Sequence, residues 1–346
     1  MFISYIMAMI VLRDHTQKNI ITIFLTPIVV SMTLIGVVYL VAILTGTGLD
    51  TYKFVKAGTK AWFHAGNEIG AILSICLPVI LLYGIRSTKN VVHLVYWIPA
   101  LLVIFSLVML GTKVGYLAII ISLGLALFAL VVSQLLTKQP NLKPSLLIIS
   151  VLLAGVLLST PYTPAFSNTE THIRIIDEIT GEVEEPMPEA PEVVIDEDAG
   201  VLKRYSNRVI NILLSSRQIF LKNTHEMFVE APLIQKLFGM GYAGIYPERP
   251  KLVEMDFLDL FYSYGIIGSI VYMLPIFYAF VLLFKNVRHH LEKLLLVEFL
   301  LVFSSLFLGF GIAFIAGHVL FAPAVSIYLA VLGSVGTVLL LPGEAP

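Results

Sequence analysis

The sequence predicts an all-α, polytopic helical membrane protein of about nine transmembrane spans with one large external loop. Three observations predict it. Of 346 residues, 58% are hydrophobic and 13% charged, where a soluble domain carries roughly 25% charged residues. Mean hydropathy is +0.91. Apolar runs of about 18 residues or more recur, whereas the alternating strands of a membrane barrel do not occur. The formal net charge of −1 speaks against a nucleic-acid surface. The single cysteine, Cys76, lies inside an apolar run, which excludes an intrachain disulfide and a cysteine-based metal cluster.

In chain order, Met1–Leu12 is apolar but too short to cross a hydrocarbon core of about 30 Å. It reads as the end of a helix or as a short interfacial segment. Spans follow near Ile20–Thr45, Ile69–Ile85, Val91–Leu110, Val114–Leu136, Leu146–Ser159, Phe257–Phe284, Leu294–Ile315 and Val319–Leu341. Pro27, Pro78 and Pro275 fall inside spans, where neighbouring helices satisfy the freed carbonyls.

Basic residues in short loops set the orientation. Counting Met1–Leu12 as a span, alternate loops carry Arg13 and Lys18, then Arg86 and Lys89, then Lys138 and Lys143, then Lys285, Arg288 and Lys293. These loops are expected in the cytoplasm, as is the C-terminus. Lys53, Lys56 and Lys60 in an opposite loop weaken this bias without reversing it. The long loop and the start of the chain then lie outside. No signal peptide is evident, so an external start fits a chain lacking an odd number of N-terminal helices.

Four regions result: an N-terminal transmembrane bundle (1–159), an acidic external insertion (160–200), an external loop with amphipathic helices (201–256) and C-terminal transmembrane helices (257–346). Glu170 to Asp198 holds eleven acids and one base, Arg174, and is expected to be solvated and disordered. Val201–Lys222 reads as an amphipathic helix, with Arg204, Asn207, Arg208, Asn211, Ser215, Gln218 and Lys222 on one face. Arg217 projects instead beside Ile210 and Leu213 on the apolar flank, where a guanidinium needs an anionic partner.

Gly239-Met240-Gly241-Tyr242 reads as a tight turn; no strand precedes it, so it is not a nucleotide loop. Gly265-Ile266-Ile267-Gly268 has the spacing of a close helix-packing face. Asp256 and Asp259 are neighbours at i, i+3, and helix capping competes with a chemical role for both, as for Glu254. His172, His225 and His289-His290 have no metal-ligand spacing, and no metal or cofactor is expected.

Five motifs follow one another along the chain: Gly66-Asn67-Glu68-Ile69-Gly70, Gly111-Thr112-Lys113-Val114-Gly115-Tyr116, Ser215-Ser216-Arg217, Leu237-Phe238-Gly239-Met240-Gly241, and Glu254 to Gly268. Taken together, they resemble the O-antigen ligase and polymerase family of bacterial envelopes. Within the family, the teichuronic-acid polymerases of Gram-positive bacteria are the most similar type. The resemblance implies a metal-independent, inverting glycosyltransferase in the bacterial cytoplasmic membrane. Its donor would be an undecaprenyl-diphosphate-linked oligosaccharide, and its acceptor a glycan, lipid or wall hydroxyl. Lys113 and Arg217 match two family arginines that hold the diphosphate, with Lys113 giving a point charge in place of a fork. The family's basic histidine is replaced: Glu254-Met255 stand at the His-Asn positions, eleven residues before Gly265. The resemblance thus makes Glu254 the base that takes the acceptor proton, with Asp256 as its competitor. Asn67, Glu68 and His318 are expected to line the substrate cavity.

Bland readings stand beside these. Lys113 is also placed to snorkel, and His318 to be ordinary loop polarity. A transporter or flippase of a lipid-linked or anionic substrate also needs cations in a membrane cavity, but it predicts midplane charges and internal repeats. Here charges cluster at span ends and no repeat is found. An inactive, truncated family member is the remaining alternative.

Overall fold

The computed structural model describes residues 2–13, 17–52, 56–137, 142–180, 217–241, 253–289 and 296–340. Among them the chain forms twelve α-helices, and the one β feature is an isolated bridge between Asp50 and Thr59. The helices are α1 (Phe2–Arg13), α2 (Gln17–Leu44), α3 (Gly66–Ser87), α4 (Ile98–Leu110), α5 (Lys113–Thr137) and α6 (Lys143–Ser159). After them come α7 (Pro164–Thr180), α8 (Arg217–Glu230), α9 (Leu233–Phe238), α10 (Asp256–His289), α11 (Val297–Ile315) and α12 (Pro323–Leu340). Seven segments are long and apolar enough to span a membrane, and Pro323–Leu339 is a shorter apolar one. These eight fall where the sequence placed eight spans. The remaining predicted segment is α1, twelve residues long. The chain is an all-α, multi-pass membrane protein.

Helix α3 stands at the centre. It is apolar all round and buried from Ile69 to Leu82, the pattern of a helix enclosed by others rather than by lipid. It packs against α2, α4, α5, α11 and α12. Helix α1 packs on α12, where Tyr5 Oη lies 3.1 Å from Thr337 Oγ1 and Ser334 Oγ donates to Tyr5 O. At the opposite extreme α10 leaves Ile270, Val271, Phe277 and Phe284 exposed, as lipid contact requires.

Helix α10 is broken at Gly265, whose φ of 68° and ψ of −170° suit glycine alone. The break lets α9 dock main chain to main chain. A Cβ on Gly265 would stand 2.6 Å from Leu237 O, and one on Gly239 would run into Ser263 O. Met240 N–H donates to Tyr262 O at 3.0 Å across this seam. The two glycine motifs are therefore the two sides of one contact. Above it, Leu221 and Phe228 of α8 pack with Val253, Met255 and Tyr262. Phe228 sits 5.1 Å from Phe261 and 5.4 Å from Tyr262, ring centre to ring centre.

The acidic insertion begins differently from expectation. Pro164–Thr180 is helical, so Glu170–Thr180 extends a folded helix. Its first turns bury Ala165 and Asn168 against the bundle, an anchor that the acidic composition hides. Residues 181–216 lie outside the described residues, as does most of the predicted amphipathic helix; its end is the start of α8.

Candidate functional site

Connections at one end of the bundle converge: the α2–α3 loop, the α4–α5 turn, the start of α7, the start of α8, the start of α10 and the α11–α12 loop. They enclose a cavity of about 210 Å³. Tyr52, Lys56, Asn67, Lys113, Asn168, Arg217 and Glu254 contribute its polar wall. A second cavity of about 150 Å³ is lined by Glu68, Glu254, Asp256, Asp259, Ser263, His318 and Phe321. Glu254 belongs to both. All seven residues expected from the sequence lie on these two cavities, with Asn67 and Glu68 facing different ones.

Arg217 opens α8 and points into the first cavity. Its Nη2 lies 3.3 Å from Glu254 Oε2 and 3.5 Å from Ala316 O. The side chains of Arg217 and Glu254 are 13% and 27% exposed, so the ion pair is largely desolvated. Arg217 Nε is buried and has no partner among the described residues. Such an orphaned donor carries a desolvation cost unless a ligand meets it. Burial pushes the Tyr52 phenol upward in pKa, and the charge of Arg217 pulls it partly back.

Lys113 begins α5, just after the left-handed Gly111. Asn168 fixes this turn. Its Nδ2 donates to Gly111 O at 2.8 Å and to Ala57 O at 2.6 Å, while its Oδ1 accepts from Ala57 N–H at 2.7 Å. One buried amide thus joins the loop of Lys56 to the turn of Lys113. Gly111 permits the approach, since a Cβ there would stand 2.6 Å from Ala57 O.

Glu254 is aimed by its neighbours. Val253 and Met255 are buried, and their N–H groups donate to Asp259 Oδ1 and Oδ2 at 2.9 and 3.0 Å. Glu254 between them takes a φ of +62°, which turns its side chain away from that contact and into the cavity. A left-handed conformation of this kind costs a non-glycine residue about 1–2 kcal/mol. Asp256 Oδ1 accepts from His318 N–H at 2.8 Å, and its Oδ2 accepts from Val319 and Leu320 N–H at 2.8 and 2.7 Å. Both aspartates thus hold main chain around the site. His318 Nε2 is buried without a partner among the described residues and borders the second cavity.

Sequence reasoning missed Lys56, Tyr52 and Asn168. Lys56 reads in the sequence solely as a topology charge. Asn168 precedes the acidic run and carries no local signal. No cluster of three or more potential metal ligands occurs among the described residues.

Chemically, the first cavity suits an anion, and the wall it shares with the second cavity carries a carboxylate able to accept a proton. Neither the curated proteins nor the solved structures compared with the chain include a match. The family model described as O-antigen ligase like membrane protein matches residues 1–341, so the chain belongs to that family and is a membrane protein of envelope polysaccharide processing.

Proposed function

We propose that the protein is an inverting glycosyltransferase that moves a glycan from an undecaprenyl-diphosphate carrier to an acceptor hydroxyl at the outer face of the bacterial cytoplasmic membrane. The observation that carries this reading is Arg217: a largely buried guanidinium beside Lys113, with an orphaned Nε, facing a cavity that borders the carboxylate of Glu254.

In this reading the carrier diphosphate occupies the first cavity, against Arg217 and Lys113. The acceptor hydroxyl reaches Glu254 from the second cavity, past Glu68, His318 and Phe321. Its oxygen attacks the anomeric carbon of the donor sugar. The bond from that carbon to the phosphate oxygen breaks, and its electron pair leaves on the diphosphate. The hydroxyl proton passes to Glu254, and the anomeric configuration inverts. Fixed cations stabilise the charge that grows on the leaving group, a term of roughly 100- to 1000-fold per donor in comparable sites. Asp256 and Asp259 act as positioning residues, the first holding the α11–α12 loop and the second the turn that presents Glu254.

The test is glycan length on the lipid carrier, by gel, in cells with and without the gene. Loss of long chains with single units accumulating on the carrier identifies a polymerase. Long chains that stay on the carrier and never reach their acceptor identify a ligase. No change in either overturns the proposal.

A further inference from the structure

We propose that Lys56 is a third donor-binding cation of this site, carried by the loop before α3, and that it contacts the second phosphate of the carrier diphosphate. The inference rests on the first cavity being the diphosphate site, and it adds a residue that sequence motifs did not mark.

Lys56 lines the same cavity as Lys113 and Arg217. Its place there is fixed. The next residue, Ala57, is gripped at both N–H and C=O by Asn168, itself 2% exposed, and the same amide holds Gly111 two residues before Lys113. Thr59 N–H also donates to Met109 O at 2.8 Å, and Thr51 Oγ1 to Leu110 O at 2.9 Å. A loop tied this closely to the α4–α5 turn presents its lysine at a set position, unlike a lysine on a free surface loop.

The surroundings of Lys56 favour an anion. It is partly buried, with its ammonium 5.5 Å from the centre of the Tyr52 ring. No carboxylate forms an ion pair with it among the described residues. Lys56 and Arg217 both lie close enough to Lys113 to repel its charge. Among the described residues of the cavity wall, Lys56, Lys113 and Arg217 are the cations and Glu254, ion-paired with Arg217, is the carboxylate. Gathering like charges in a desolvated space is unfavourable until an anion joins them. A diphosphate diester carries two negative charges and spans farther than one phosphate, which fits cations delivered from three separate chain segments.

The experiment measures binding of inorganic pyrophosphate and inorganic phosphate to the purified full-length protein in lipid nanodiscs. Wild type is compared with Lys56→Ala, Lys56→Arg, Lys60→Ala and Arg217→Ala. Loss of one charged hydrogen-bond donor predicts about 10- to 100-fold weaker pyrophosphate binding for Lys56→Ala, with phosphate binding nearly unchanged. Lys56→Arg retains most of the affinity, and Lys60→Ala, on the same loop but outside the cavity, keeps all of it. Should Lys56→Ala lower the melting temperature, Lys56→Gln takes its place. Unchanged pyrophosphate affinity in the Lys56 variant overturns the inference, as does an equal loss for both ligands. If Arg217→Ala also binds pyrophosphate like wild type, the fault lies with the diphosphate reading of the cavity itself.

Discussion

Arg217 Nη2 lies 3.3 Å from Glu254 Oε2, so the proposed diphosphate ligand and the proposed base hold each other directly. In the proposed reaction a donor phosphate competes with the carboxylate for the guanidinium, and the carboxylate is then freed to take a proton. Arg217→Ala is expected to lower transfer about 100-fold or more, and Arg217→Lys to recover only part, because lysine lacks the fork. Transfer from a lipid-linked donor in proteoliposomes measures this, with membrane insertion checked by fractionation. A stably inserted Arg217→Ala protein at wild-type rate refutes the assignment.

Glu254 and Asp256 are two residues apart and are expected to respond differently. Glu254→Gln keeps shape but cannot accept the proton, so kcat falls roughly 100- to 10,000-fold, while donor KM falls because no carboxylate competes with the phosphate for Arg217. Asp256→Asn instead keeps one oxygen acceptor and sets an amide NH2 against the other donors, either His318 N–H or the Val319 and Leu320 N–H pair. It is expected to cost roughly 1–3 kcal/mol of stability. Thermal unfolding in detergent shows it as a lower Tm, with activity recovered on cooling. Equal Tm for wild type and Asp256→Asn counts against the clamp.

Lys56 sets a pH dependence whose sign follows from burial. Burial favours the neutral amine, so Lys56 loses its proton at a lower pH than a free lysine. The groups facing it across the cavity are Tyr52, Lys113, Arg217 and Glu254. Pyrophosphate affinity is therefore full near neutrality and declines with rising pH, ahead of ordinary lysine titration. Lys56→Arg, always protonated, removes the Lys56 part of that decline and leaves the part set by Lys113. Identical pH profiles for the two proteins contradict the expectation.

The Gly239–Gly265 seam is tested by single methyl groups. Gly265→Ala and Gly239→Ala each place a Cβ into opposing main chain, at backbone angles that cost a non-glycine residue about 1–3 kcal/mol. α9 is expected to detach, and limited proteolysis after Gly241 to speed up. Gly124→Ala, where a Cβ meets nothing within 4 Å, serves as the control. Cleavage at the control rate in both seam variants rules out the seam as the anchor.

What the sequence made legible depends on how locally each feature is encoded. Hydropathy marks a span wherever it lies, so the span positions were readable; which span is innermost was not, because Gly70, Ala71 and Ser74 of α3 acquire meaning only beside their neighbours. Arg217 was readable because its charge breaks a local helical pattern. Asn168 was not, since its partner Ala57 is 111 residues away and is met through main chain. The acidic run hid a helix for the same reason: composition reports the solvated face, and two buried residues, Ala165 and Asn168, hold the other. Glu254 and Asp256 looked interchangeable in sequence because hydrogen bonding to the distant 318–320 amides is what separates them.

A junction made of main chain is indifferent to most of the side chains around it. Two glycines are what the α9–α10 seam requires, while Leu233, Ile234 and Phe238 on the same short helix point outward, each more than 60% exposed. The short helix α9 is in this sense a cassette, fastened without regard to its outward-facing letters. Evolution is free to rewrite that outer surface for a new neighbour while the fastening and the chemistry beneath it stay unaltered.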